Sequence, residues 1–145
     1  MLIPKKILSL VLFLSFSGAN AHTLRIRVSD LRSGDGFLAI SIFAESQKQS
    51  YPEVAEKASK TYYLKLNGKT EINLQTADLT SGKYAVVVMH DEDGDKKMRT
   101  SFLGIPREGF GFSNNPAILF GAPNFKRVEF NLVNETETAI KMKYF

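Results

Sequence analysis

The sequence predicts an all-β fold, a seven-strand antiparallel Greek-key β-sandwich preceded by a cleaved signal peptide. Three observations carry this. Short runs of alternating apolar and polar residues recur, as in Leu24, Ile26, Val28 and again in Val128, Phe130, Leu132, which is the period of a half-buried strand. Turn clusters such as Ser33-Gly34-Asp35-Gly36 separate them. Almost nothing after residue 21 has helical periodicity, and several short strands without helices point to packed antiparallel sheets.

The elements follow in order. Residues 24–29 form the first strand, with Arg25, Arg27 and Ser29 on the solvent face. The turn at 33–36 leads to a second strand, 37–44, and the spacing reads as a hairpin. Residues 45–60 are polar and contain Tyr51-Pro52, which stops a strand. This segment reads as an excursion over one end of the sheet, with about two helical turns at 52–58 that turn Val54, Ala55 and Ala58 inward. Strands at 61–66 and 70–74 flank Asn67-Gly68. A two-residue loop there would mix core and solvent faces. A three-residue loop, a bulge, or strands that part into different sheets is therefore expected. The run 85–89 is apolar on both faces and reads as a central strand. Leu79-x-x-Gly82-x-Tyr84 before it resembles a tyrosine corner, in which a hydroxyl ties down the crossover between sheets. The last strands are 127–133 and 138–145.

The first twenty-one residues read as a leader. Lys5 and Lys6 form a positive start, 7–16 is apolar but for two serines, and Ala19-Asn20-Ala21 suits cleavage before His22. An apolar run of this length is too short for a membrane span of about 20 helical residues. The 145-residue chain then yields a single domain, 22–145, destined for the periplasm or the medium. Lys5 and Lys6 carry two of the four net positive charges, so the mature chain nets +2, no argument for nucleic acid or an anionic membrane. The absence of cysteine excludes a disulfide framework, a thiolate metal site and a cysteine nucleophile.

One stretch carries chemistry. His90-Asp91-Glu92-Asp93-Gly94-Asp95 follows the central strand. Asp91, Asp93 and Asp95 alternate, and three carboxylates turned to one point suit Ca²⁺, which takes six to eight oxygens. An EF-hand loop wants Gly and Glu where this chain has Lys96 and Phe102. The same residues also suit an acidic turn with local ion pairs to Lys96, Lys97 and Arg99 and Asx-type hydrogen bonds. A glycine-aromatic loop follows, 102–115, in which Phe110 and Phe112 cap the end of the sandwich. A recognition surface there would use His90, Glu108, Phe110, Phe112, Ser113, Asn114 and Asn115. The asparagines and Ser113 equally suit unpaired backbone groups.

The run G-x-Y-A-V, M-H-D-E-D, F-L-G-I-P-R-E-G-F-G-F-S-N-N from Gly82 to Asn115, with Phe120-Gly121-Ala122-Pro123 and the alternation at 128–132, resembles the bacterial family called domain of unknown function 2141. The resemblance covers nearly the whole mature chain. It implies an exported β-sandwich of transthyretin-like (prealbumin-like) or carboxypeptidase-regulatory-like shape, and no assigned activity. The family loop reads H-D-x-N-x-N-G-K-L-D, from which Lys96 and Arg99 depart.

The expected function is an exported, non-catalytic binding or accessory domain, steadied by Ca²⁺ at the Asp-rich loop, that meets an envelope or extracellular partner. Two alternatives belong to other classes. Cleavage after Ala21 would make His22 the N-terminus, and its amine and imidazole with His90 would form a copper-binding brace. Glu108 with Asp91 or Asp93 would form the carboxylate pair of a hydrolase. No G-x-S-x-G nucleophile elbow exists.

Overall fold

The computed structural model describes residues 21–145. The predicted leader, 1–21, lies outside the described residues except for Ala21. Eight strands form two sheets: β1 (His22–Ser29), β2 (Phe37–Ala44), β3 (Lys60–Lys65), β4 (Ile72–Leu79), β5 (Gly82–Asp91), β6 (Gly109–Phe112), β7 (Phe130–Leu132) and β8 (Glu135–Lys141). One sheet has the order β4-β1-β8. The other runs β3-β2-β5-β6, with β7 beside the start of β5.

The core lies between the sheets. Alternation turns Leu24, Ile26 and Val28 of β1 inward against Leu38, Ile40 and Ile42 of β2 and Val86 and Val88 of β5, with Leu132 and Ile140 completing the cluster. Each such side chain, fully buried, contributes roughly 1.5–3 kcal/mol. β5 is the central strand, paired with β2, β6 and β7. Tyr84 is a tyrosine corner: its hydroxyl donates to the Thr80 carbonyl at 3.0 Å. β3 and β4 part into different sheets, which removes the register conflict at Asn67-Gly68.

Six expectations are corrected, the last of them with β6 below. There are eight strands, because Gly109–Phe112 is one. β1 and β2 belong to different sheets and form no hairpin. Between them Gly34 packs on the Gly68 backbone, where a Cβ would lie 2.2 Å from a main-chain carbon. The sandwich is not wholly antiparallel, since β1 and β8 run parallel. Residues 127–133 are not one strand: Asn124 caps a short helix, α1 (Phe125–Val128), before β7. The excursion 45–60 holds two short 3₁₀ turns, Glu45–Gln47 and Ala55–Lys57, and Val54 faces outward at 38% exposure.

β6 closes one edge of the sandwich. Phe110 exchanges both main-chain hydrogen bonds with Lys143, just past β8. Its glycines make this approach possible. A Cβ on Gly109 would lie 2.3 Å from the Tyr144 ring, and one on Gly111 2.6 Å from Ile140. Phe110 and Phe112 therefore face outward and join Phe43, Ala85, Phe125 and Val128 in a second cluster on the outer face of the five-stranded sheet. They do not cap the end of the sandwich.

Candidate functional site

The acidic and glycine-aromatic segments are one connection, the long loop from Asp91 at the end of β5 to Gly109 at the start of β6. Two carboxylates hold its base. Asp91 and Glu108 are both fully buried. Asp91 accepts from the Gly94 and Lys96 amides, both at 2.8 Å, and from the Tyr63 hydroxyl at 2.5 Å. Glu108 accepts from the amides of Glu92 (3.2 Å) and Arg99 (3.0 Å), with the Arg99 Nε 3.6 Å away. Burial alone would raise the Asp91 carboxyl, but the Tyr63 hydroxyl and the two amides outweigh it, so it titrates below the usual carboxylate range. Tyr63, half-buried and hydrogen-bonded to that carboxylate, is pushed up to about 12 by desolvation and by the bond. Arg32 grips Glu92 through two bonds of 2.7 and 2.6 Å and lowers its carboxyl. The same guanidinium stacks on Tyr144 and donates to the Arg107 carbonyl.

Gly36 seats β2 against this base. At φ +70° it adopts the left-handed conformation glycine favours, and a Cβ there would lie 2.3 Å from the Asp91 carbonyl oxygen.

Of the three predicted metal-ligating aspartates, two converge. Oxygens of Asp91, Asp95 and Glu108 lie within 4.8 Å of one another. Asp93 does not join them, because it pairs with the Arg99 guanidinium at 3.0 Å. Glu108 takes its place, a residue the sequence set in the recognition surface and, with Asp91 or Asp93, in a carboxylate pair.

The other candidates have structural partners. His90 is fully buried. Its Nε2 lies 2.8 Å from the Asp35 carbonyl, which can only accept, so Nε2 carries the proton. Nδ1 lies 2.7 Å from the Tyr144 hydroxyl and 3.8 Å from a Glu92 carboxylate oxygen. His22 sits at the other end of the molecule, where its Nδ1 accepts from the Asn134 amide. The start of β1 is seven residues from its end, roughly 23 Å, and it is the far end that leads to Arg32 and Tyr144. The copper brace is not formed.

Ser113 is buried and ties β5 to the end of α1, accepting from the Val86 amide and donating to the Val128 carbonyl at 2.6 Å. Asn114 donates to the Glu129 carbonyl, and Asn115 bonds both Ala139 and Lys141 of β8. These three residues follow β6 back along the sheet and do not reach the acidic loop.

Phe110 and Phe112 do meet a concave surface, and it is one the sequence did not show. The outer face of the five-stranded sheet carries an open cleft of about 1330 Å³. Ala39 and Ser41 of β2 and Val87 and Met89 of β5 line it, all half-buried. One wall is the long loop, with Met98, Leu103 and Ile105. Another is the segment after β6, with Ile118, Leu119 and Phe120, and Phe145 also lines it. Phe102 is 95% exposed and Phe120 97%. The signal for this surface was two apolar runs without any period, Phe102-Leu103-Gly104-Ile105 and Ile118-Leu119-Phe120, inside loops. At the far end the second cluster covers the same face. There Tyr51 stacks edge-on against Phe43 and Phe125, with its buried hydroxyl lacking a partner among the described residues.

The fold and this surface define an all-β sandwich domain with a rigidly based loop beside an open apolar cleft. The chain belongs to the family described as an uncharacterized protein conserved in bacteria, domain of unknown function 2141, whose pattern matches residues 26–141. No curated protein and no solved structure matches it. Among the described residues, no helix is long and apolar enough to cross a membrane.

Proposed function

We propose that the chain is an exported, non-catalytic binding or accessory domain whose ligand surface is the cleft on the outer face of the five-stranded sheet. One observation carries this reading. Of the exposed large apolar side chains among the described residues, Leu103, Ile105, Leu119, Phe120 and Phe145 line this one cleft, and Phe102 precedes Leu103 in the same loop. Clustered exposed apolar surface of this kind marks interaction sites on soluble proteins. The non-catalytic reading is supported by Asp91 and Glu108, whose carboxylates are committed to loop amides. Export, to the periplasm or the medium, is supported by the charged, apolar and small-residue pattern of 1–21.

Titration with N-phenyl-1-naphthylamine, an uncharged dye that brightens in apolar surroundings, tests the reading. The folded chain gives a saturable rise, and a Phe102→Ser, Phe120→Ser double variant gives little. Both side chains are solvent-exposed, so the variant keeps its stability within about 0.5 kcal/mol. No dye binding to the folded chain, or equal binding by the variant, overturns it.

A second reading, Ca²⁺ held by Asp91, Asp95 and Glu108, is favoured by the convergence of their oxygens. Carboxylate oxygens are the hard donors calcium takes, and three are fewer than the six to eight it needs. The bound ion would brace the loop base. Added Ca²⁺ then raises the thermal midpoint and EGTA reverses it, with no shift in Asp95→Asn. A melt indifferent to both removes this reading and leaves the cleft untouched.

A further inference from the structure

We infer that the cleft takes up one fatty-acid-like anionic amphiphile, its hydrocarbon chain along the Ala39, Val87 and Met89 floor and its headgroup against Lys96 and Lys97. The inference rests on the reading of the cleft as the binding surface and names its ligand class.

The floor argues for hydrocarbon. β2 and β5 are interior strands whose main-chain groups are already paired on both sides. An extended peptide laid on them would find no backbone partners for its own amides and carbonyls, a costly burial for polar groups. An acyl chain has none to satisfy. The side chains it would meet are small or apolar, and Met89 and Met98 adapt readily to a flexible ligand.

The charges argue for an anion and set its direction. Of the five carboxylates in the loop that carries Lys96 and Lys97, Asp91 and Glu108 are buried and bonded to loop amides, Glu92 is paired with Arg32 and Asp93 with Arg99, which leaves Asp95 against the two lysines. The four ionisable groups lining the cleft other than Tyr62 and Tyr63 divide by end. Glu53 and Glu56 belong to the connection that enters β3 at Lys60, beside Ile42. Lys96 and Lys97 lie in the loop that leaves β5 at Asp91, beside Phe37 and Lys65 at the opposite end of the same strands. The Lys96 ammonium lies 5.0 Å from the centre of the Tyr63 ring. Among the described residues neither lysine has a carboxylate within 4.0 Å. A negative headgroup is drawn to the lysine end and repelled from the glutamate end.

Displacement of the bound dye tests this, using monomeric hexadecanoate, the cationic dodecyltrimethylammonium, an apolar decapeptide, and sedimentation with phosphatidylglycerol vesicles. Hexadecanoate is expected to displace the dye at one per chain, and the cationic amphiphile and the peptide to do so poorly. In Lys96→Gln, Lys97→Gln, which removes both charges and keeps the side chains polar, hexadecanoate weakens by about tenfold, about 1.4 kcal/mol, while the dye still binds. In Ala39→Phe, which fills the floor, hexadecanoate is lost and the lysine end is unchanged. Dye binding without hexadecanoate competition overturns the ligand class and leaves the binding surface standing. Absence of dye binding overturns both. Equal competition by the cationic amphiphile, or an unchanged affinity in the lysine variant, overturns the headgroup assignment. Sedimentation with vesicles without uptake of monomeric hexadecanoate makes this a bilayer-docking face instead and overturns the inference.

Discussion

The two faces of the five-stranded sheet are both apolar, yet only one is sealed. On the inner face Leu38, Ile40, Val86 and Val88 are wholly buried against the other sheet. On the outer face, Phe43, Ala85 and Phe112 are covered by α1 and Tyr51 at one end, while Ala39, Val87 and Met89 remain half open at the other. Alternation along a strand decides which residues share a face. What covers that face depends on segments elsewhere in the chain, and here they supply enough side chains for one end only.

The largest difference between the faces is expected in stability. Ile40→Ala leaves a cavity in the sealed face and costs about 2–5 kcal/mol. Met89→Ala on the open face costs less than about 1 kcal/mol. Urea unfolding of the two variants measures both, and equal losses would mean the outer face is covered after all.

Next comes the join between the faces. Ser113→Ala deprives the Val86 amide and the Val128 carbonyl of their buried partner, a loss of about 1–3 kcal/mol. Ser113→Thr keeps the hydroxyl, and part of the stability returns if the bond is the cause.

Acid should loosen the loop base before either face. Asp91 is lowered because the Tyr63 hydroxyl and the loop amides outweigh burial, and Glu92 is lowered chiefly by Arg32. The folded chain thus binds fewer protons than the unfolded chain in this range. Their contribution is complete above the ordinary carboxylate value of about 4, and is lost as pH falls through the lower folded values. The thermal midpoint therefore drops below about pH 4, with a shallower drop in Asp91→Asn. Parallel curves for the two proteins would remove Asp91 from the account.

The smallest effect lies in the covered half of the outer face. Burial raises the Tyr51 hydroxyl, which has no partner among the described residues. Tyr51→Phe removes a polar group without removing a bond, so stability holds or rises by up to about 1 kcal/mol. A clear loss would reveal a partner, such as a buried water.

These faces were unevenly legible in the sequence. The inner face was plain, since Leu24, Ile26, Val28 and the 85–89 run follow strand periods, and the tyrosine corner declared itself through Leu-x-x-Gly-x-Tyr. Sheet membership was not plain, because a period of two does not say which sheet a strand joins or whether its neighbour runs parallel, as β8 does beside β1. β6 was hidden by its glycines, which are poor strand formers. Yet Gly-Phe-Gly-Phe alternates, and the glycines are there because Tyr144 and Ile140 press close. In the loop, residue types pointed to the right place with the wrong assignments. Asp93 matched the spacing but pairs with Arg99, while Glu108, distant in sequence, arrives because β6 returns beside β5. The cleft could not be read, since its parts come from β2, β3, β5, β6, three loops and the C-terminus.

Methyl NMR of the full domain during a hexadecanoate titration tests the central claim most directly. The account predicts that the methyl signals of Ala39, Val87 and Met89 shift with saturation, while those of Ile40, Val86 and Val88, one residue away on the sealed face, stay in place. Shifts spread across both sets, or none at the outer methyls at saturating ligand, would contradict it.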